Sequence, residues 1–374
     1  MEKRRRNVMK MKKVMALTMA AAMALGMTAC GSSSSAATGS SAASAASEAS
    51  TASATSAAEE STASASAEAS AAGSETASTD GKTYTVGICQ LVQHPALDAA
   101  TKGFEDELKE KLGDRVTFDE QNAAGDSATC TTITNQFVSS NYDLILGNAT
   151  ASLQAAIAAT SDIPILGTSI TDYATAMDIS DWTGKTGINV SGTSDLAPLD
   201  QQADMIHTLF QDAKNVGILY CSAEPNSKYQ STVITGYLQD MGYTVTEYTF
   251  ADSNDVSQVT QSACGASDVL YIPTDNTAAS CTEAINNVAD PAGIPIVAGE
   301  EGICKGCGVA TLSIDYYELG KATGDMAYEI LENGADISNM DIQFAPNVTY
   351  EYMADRATKL GLTIPENYVA IEAE

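Results

Sequence analysis

Imidazole chemistry in this chain is limited to His94 and His207, so any Ser-His-Asp or Cys-His device has to use one of them. His207 lies in a helical stretch with Met205, Ile206 and Leu209, the setting of a packing residue. His94 precedes Pro95 in a polar loop and reads as a ligand contact or a loop brace. Thiol chemistry is suggested by Cys304-Lys-Gly-Cys307, a Cys-x-x-Cys of the kind found in redox and zinc sites. Zinc needs two more ligands, and no second Cys-x-x-Cys or histidine pair supplies them. The motif is framed by Gly302, Gly306 and Gly308 rather than opening a helix, so its expected role is structural. There is no Gly-x4-Gly-Lys-Ser/Thr string to cradle a phosphate and no Gly-x-Ser-x-Gly elbow. No metal, cofactor or catalytic set is expected.

The elements that would position such residues begin at Tyr84. Short apolar runs alternate with helical stretches: 85–89, 143–146, 163–166, 215–221, 268–272, 294–297 and 309–313. Runs that are apolar throughout and bounded by turn residues suit strands buried on both faces. Leu97, Ala100, Phe104, Leu108 and Leu112 make one apolar stripe at helical spacing. Strands alternating with such helices predict βα units and parallel sheets. A weak internal repeat supports two domains of one topology. Val86-Gly-Ile88 recurs as Val216-Gly-Ile218, Asp143-Leu-Ile145 as Asp268-Val-Leu270, and Ile163-Pro-Ile165 as Ile294-Pro-Ile296. In parallel α/β sheets ligands bind beyond the carboxyl ends of the strands, so two such domains would share one cleft between their loops.

The N-terminal 83 residues read differently. Seven of the 19 basic residues fall in the first thirteen positions, followed by an apolar run from Val14 to Met27 and then Thr28-Ala29-Cys30. A run of about fourteen residues is an export signal, since about 20 are needed to span a bilayer. Small residues leading into a cysteine resemble the bacterial lipoprotein box, which makes 1–29 a signal peptide and Cys30 the lipidated residue. From Gly31 to Thr83 the chain uses only Gly, Ser, Ala, Thr, Glu, Asp and Lys. Such a segment cannot bury enough apolar area to fold, and 30–83 reads as a tether with a reach of roughly 40 Å. Without residues 1–29 the chain keeps 12 basic and 47 acidic residues, a net charge of −35. A body this acidic is unsuited to nucleic acid or polybasic-type membrane binding.

Several ordered strings then carry a family resemblance: 87–100 (Gly-Ile-Cys-Gln-Leu-Val-Gln-His-Pro-Ala-Leu-Asp-Ala-Ala), Glu224-Pro-Asn-Ser227, 271–277 (Tyr-Ile-Pro-Thr-Asp-Asn-Thr), Gly299-Glu-Glu-Gly302 and 314–320. From about Tyr84 to Pro365 the chain resembles the ABC transporter substrate-binding lipoproteins of the tryptophan/tyrosine-type importers. The resemblance implies the type I periplasmic-binding-protein fold, with two doubly wound α/β domains joined by three crossovers. It implies discontinuous domains, 84–195 with 316–340 and 196–315 with 341–374. It also implies a binding rather than an enzymatic function, a permease and an ATPase on separate chains, and an exported, lipid-anchored location outside the cytoplasmic membrane. A ligand sensor and a surface adhesin are the alternatives on the same scaffold.

Cleft loops carrying Asp126, Asp172, Glu224, Asp275, Glu300 and Glu301 against Lys228 and Lys305 favour a ligand with an ammonium group. An amino acid fits, with Asp275 or Glu300 pairing its amine. Thr150, Ser152, Ser169, Asn226 and Ser227 are expected at helix starts, where hydroxyls, amides and backbone N–H groups would hold its carboxylate. Gln90, His94 and Asn276 complete the expected ligand set, and Tyr173, Trp182 and Tyr229 could wall an aromatic side chain. The resemblance makes an aromatic amino acid the first choice.

Overall fold

The computed structural model describes residues 81–345 and 347–372. The expected signal peptide, the expected lipidation site Cys30 and residues 30–80 of the expected tether lie outside the described residues. Among those described, no helix is long and apolar enough to cross a membrane.

Two sheets divide the strands. The first holds β1 (Tyr84–Gln90), β2 (Val116–Asn122), β3 (Leu144–Asn148), β4 (Ile165–Ile170) and β5 (Val190–Ser194). Their order is β2-β1-β3-β4-β5, all parallel. The second sheet holds β6 (Asn215–Cys221), β7 (Thr244–Phe250), β8 (Val269–Ile272), β9 (Ile296–Ala298) and β10 (Ala310–Ile314) in the order β7-β6-β8-β9-β10. The repeated strings therefore occupy equivalent places, β1 with β6, β3 with β8 and β4 with β9. Both are doubly wound sheets of the 2-1-3-4-5 order.

Strand residues alternate between two cores in each lobe. Val86, Ile88, Leu144 and Leu146 pack on one face of the first sheet, with α1 (Pro95–Leu112) and its Phe104 and Leu108. Cys89 and Ile145 point to the other face, toward Ile133 and Phe137 of α2 (Ser127–Ser139) and Leu153 of α3 (Thr150–Ala159). The short α4 (Tyr173–Ala176) follows β4. In the second lobe α5 (Leu199–Leu209) and α6 (Pro225–Asp240) cover one face. On the other face lie α7 (Val256–Cys264), α8 (Asn276–Ser280), α9 (Thr282–Ala292) and α10 (Glu301–Cys307).

The chain crosses between lobes three times. It leaves the first sheet after β5 and returns through α11 (Tyr316–Leu331), which lies along α1. Glycines permit that approach: a Cβ on Gly103 would sit 2.1 Å from the Tyr317 carbonyl oxygen, and one on Gly320 2.1 Å from that of Ala100. The last crossing differs from expectation. β11 (Gln343–Phe344) pairs with β5, so the chain stays on the first sheet past residue 340. It then joins the second sheet as β12 (Val348–Tyr352), antiparallel to β10, before α12 (Ala354–Lys359) and β13 (Val369–Ala370).

Six of the described strands escaped the apolar-run criterion, the short β11, β12 and β13 of the last crossing and, for physical reasons, β2, β5 and β7. β2 and β7 are edge strands with half-exposed faces and polar alternation. β5 is fully buried yet reads Val-Ser-Gly-Thr-Ser. Its hydroxyls are absorbed locally: Thr193 shares a 2.7 Å hydrogen bond with Thr323 of α11, and Ser194 donates to the Thr171 carbonyl.

Candidate ligand-binding site

The carboxyl ends of both sets of strands face one cleft, and side chains from the two lobes meet across it. His94, at the start of α1, places Nε2 3.3 Å from Asn276 Oδ1 at the start of α8. Asn276 Nδ2 donates to Glu224 at 2.7 Å, so its Oδ1 is the end that accepts from His94. That fixes the proton on Nε2 and leaves the buried Nδ1 as an acceptor without a partner. Burial lowers the His94 pKa, consistent with a neutral ring. A second crossing contact runs from Gln230 Nε2 of α6 to Thr171 Oγ1 after β4, at 3.5 Å.

The acidic loops do something other than the sequence suggested. Asp126, Asp172, Asp275 and Glu300 are the N-cap residues of α2, α4, α8 and α10, each accepting backbone N–H bonds from its own helix. Asp275 takes the N–H of Ala278 and, with its other oxygen, that of Cys221, both at 2.7 Å. Burial, with the charge of Glu224 adding to it, raises its pKa. Glu300 accepts from Gly302 and Ile303, and burial pushes its pKa up to about 7. Both carboxylates expected to pair an amine are thus already engaged by the main chain.

Asp195 has a different standing. It follows β5 at the first crossover, is buried, and was missed because β5 lacks an apolar run. Its Oδ2 accepts from the Tyr316 hydroxyl at 3.1 Å, so the first and second crossovers are tied to each other. Its other oxygen, Oδ1, has no partner. Burial pushes its pKa up to about 6. Beside it, the backbone N–H of Asp195 bonds to Ile170. One residue earlier, Ser169 adopts a left-handed φ of 56° where the β4–β5 register shifts, and its hydroxyl is buried and unpartnered. Ser169 is therefore a bulged strand residue rather than a helix start. Ala124 and Ala149, at the ends of β2 and β3, also have left-handed φ values of 53° and 83°. Strain of this kind gathers where a fold is shaped for a ligand.

The remaining expected residues divide by what already holds them. Gln90 donates to Val92 and Asp98 and accepts from Thr101 at 2.7 Å, so it fixes the start of α1. Asn226 donates to Glu224 and to the Thr274 carbonyl, and Ser227 accepts from Asn226. Thr150 is buried at the start of α3, and Ser152 one turn inward touches two cysteine thiols rather than the cleft. Tyr173 and Trp182 stack at 6.5 Å inside the first lobe, the Tyr173 hydroxyl bonding Gly167 and Thr193 carbonyls, so neither walls the cleft. Tyr229 stays half-buried near Asp172.

Two cavities open along this seam. One of about 340 Å³ is lined by Leu91, Gly125 and Asp126 from the first lobe and Glu224, Asn226 and Asn276 from the second. Another of about 250 Å³ lies at the crossovers beside Pro95, Glu300 and Tyr316. The first falls in the range of small-ligand sites, roughly 300–1,000 Å³. The Cys-x-x-Cys lies away from both chemistry and metal geometry. Burial pushes Cys307 up to about 12, and the Arg356 guanidinium donates to the carbonyls of Cys304, Lys305, Gly306 and Gly308, capping α10.

Against known proteins, residues 85–374 match the family described as ABC transporter substrate binding protein. A tyrosine-binding protein of Clostridioides difficile (strain R20291) is 42% identical over 258 residues, covering 68% of this chain and 74% of that one. The Streptococcus pneumoniae ABC domain in complex with L-Trp is 31% identical with a TM-score of 0.74, over 78% of this chain and all of that one. The ligand-free, open structure of a Clostridium difficile substrate-binding protein with adhesive properties is 36% identical over the same shares, with a TM-score of 0.60. Shape thus follows the ligand-bound relative more closely than the open one, although sequence identity runs the other way.

Proposed function

The chain belongs to the ABC transporter substrate-binding family, and we propose that it captures an aromatic amino acid between its lobes and delivers it to a permease. Proteins of this family work outside the cytoplasm. The single observation that carries the ligand class is Asp195: a buried carboxylate with one oxygen unpartnered, at the meeting point of both crossovers. An ammonium group is the natural occupant of that position, since a charge-assisted hydrogen bond offsets the desolvation of both charges. Ser169 and the Nδ1 of His94 add a hydroxyl and an acceptor for the rest of an amino acid. The relatives named for tyrosine and bound to L-Trp support an aromatic side chain.

The work is capture rather than catalysis. Ligand favours the closed arrangement by the extra contacts it makes there, and the closed lobes present a surface to the permease. The permease and the ATPase are separate chains. Residues 1–29 direct export, Cys30 carries lipid, and 30–83 tethers the binding body to the outer face of the membrane. Thermal melts of the purified chain with L-tyrosine, L-tryptophan and L-phenylalanine test the reading. A ligand at a hundred times its Kd adds about 2.7 kcal/mol, a shift of a few degrees. Unchanged melting with all three at millimolar concentration would defeat it. The adhesive properties of the Clostridium difficile relative favour one second reading, a surface adhesin on the same scaffold, which predicts that unchanged melt.

A further inference from the structure

The cysteines that sequence spacing singled out are inert, while two that lie 41 positions apart in the chain meet in space. Cys89 is the penultimate residue of β1, and Cys130 lies in the first turn of α2. Both are fully buried. Cys89 Sγ is 3.6 Å from Ser152 Oγ, and Cys130 Sγ is 3.5 Å from the same oxygen. No other hydrogen bond of the Ser152 hydroxyl is found among the described residues, so a polar trio of two sulfurs and one oxygen is enclosed in an otherwise apolar core with Leu97, Ile133, Phe137 and Leu153.

The geometry points to Cys89 and Cys130 as a dithiol–disulfide couple, a modification site built into the first lobe. Two sulfurs held against one hydroxyl stand on a strand and on the helix packed over it, the kind of juxtaposition a disulfide requires. The closeness of the two thiols lowers the Cys130 pKa to about 7 and, with burial, raises that of Cys89, so Cys130 is the nucleophile and Cys89 the resolving thiol. The co-reactant is a low-molecular-weight disulfide. Cys130 thiolate attacks one of its sulfurs, the S–S bond breaks, and the first small thiolate leaves and takes up a proton. Cys89, losing its proton to solvent or to that leaving group, then attacks Cys130 Sγ and expels the second small thiol. The protein gives up two electrons and two protons, and the small disulfide becomes two thiols.

The pair sits one layer behind the cleft. Ser127, three residues before Cys130, and Ala151, beside Ser152, both line the 340 Å³ cavity, so opening of that wall gives the oxidant its path.

Peptide mapping tests this on the full chain. Trypsin places Cys89 alone in the peptide 83–102 and Cys130 alone in 116–185. The reduced protein is treated with oxidised glutathione, quenched by alkylation, unfolded, alkylated with a second reagent and digested. The expected product is 83–102 linked to 116–185, two hydrogens lighter than the sum of the free peptides, with Cys304 and Cys307 still free thiols. The oxidised chain should melt several degrees higher, because the bond closes a loop in the unfolded state. Cys89→Ser should leave glutathione on Cys130 as a stable mixed disulfide, and Cys130→Ser should leave Cys89 unmodified. Free thiols at both positions after treatment overturn the assignment, as does a lasting glutathione adduct on Cys130 in the unsubstituted chain.

Discussion

The two lobes share the strand order 2-1-3-4-5 but differ in which of their buried polar groups are held by the main chain. In the second lobe Asp275, Glu224 and Glu300 are wrapped by main-chain donors: Asp275 by Cys221 and Ala278, Glu224 by Asn276 and Thr277, Glu300 by Gly302 and Ile303. These three carboxylates are held before any ligand arrives, while Thr235 Oγ1, Thr311 Oγ1 and Glu351 Oε2 of the same lobe are buried without partners. In the first lobe and its crossover, His94 Nδ1, Asn148 Oδ1, Ser169 Oγ and Asp195 Oδ1 are buried with no partner. A buried polar atom left unpaired costs about 1–3 kcal/mol. Asp275, Glu224 and Glu300 are thus spent on holding loops, as Asp126 and Asp172 are in the first lobe, whereas Asp195 at the crossover keeps one oxygen unpartnered.

Substitution should separate the two roles. Asp275→Ala leaves two buried N–H groups without acceptors and removes the cap of α8, a loss of about 2–4 kcal/mol in urea unfolding without ligand. Unchanged stability would mean the second lobe is less complete than its hydrogen bonds indicate. Asp195→Asn keeps the shape and the bond to Tyr316 but removes the charge. Affinity for an aromatic amino acid, by calorimetry, should fall about 10- to 100-fold, the worth of one charge-assisted hydrogen bond. The ligand-free melting temperature should not drop, since burial already disfavours the ionised form. If Asp195→Asn binds as well as the unsubstituted chain, the ammonium sits elsewhere.

The comparison also explains which features could be read from sequence. Apolar runs located β1, β3, β4, β6, β8, β9 and β10, since strands covered on both faces need nothing but apolar side chains. β5 was invisible because its buried hydroxyls find partners only in three dimensions, in Thr323, Thr168 and the Thr171 carbonyl. Losing β5 meant losing Asp195. The acids that the loop composition did display were caps, and the cue was present: Asp126, Asp172, Asp275 and Glu300 each stand directly before a helix. Thiols followed the same rule. Four residues of spacing advertised Cys304 and Cys307, whereas Cys89 and Cys130 are neighbours only through the packing of α2 on β1.

Protonation gives a test with opposite signs for stability and binding. Burial raises Asp195 to about 6 and Glu300 to about 7 in the folded protein, above an unfolded value of about 4. Their contribution to ligand-free stability is therefore full below about pH 4 and lost as pH rises through 6 to 7. Asp195 faces Tyr316, Tyr173 and Glu300, and none of these is a cation that would reverse the sign. A ligand ammonium requires the ionised form, so affinity should be full above pH 7 and fall as pH drops through about 6. Calorimetry at pH 7.5 and 5 should differ by about tenfold, and Asp195→Asn should flatten the difference. Affinity that rises toward acid would place the controlling carboxylate outside the ligand's ammonium contact.

Ser169 supplies the finest test. Its hydroxyl is unpartnered and its backbone is left-handed, so two substitutions can be read against each other. Ser169→Ala removes the hydroxyl and keeps the strain; affinity should fall about fivefold, close to 1 kcal/mol, with melting unchanged. Ser169→Gly removes the same hydroxyl and suits φ of 56°, so the same loss of affinity should come with equal or slightly higher thermal stability. Equal affinity in all three proteins would show that the hydroxyl meets no ligand, and the bulge would then serve only to bring Thr171 to Gln230. A loss in the glycine variant alone would assign the contribution to the rigidity of the bulge instead of to its oxygen.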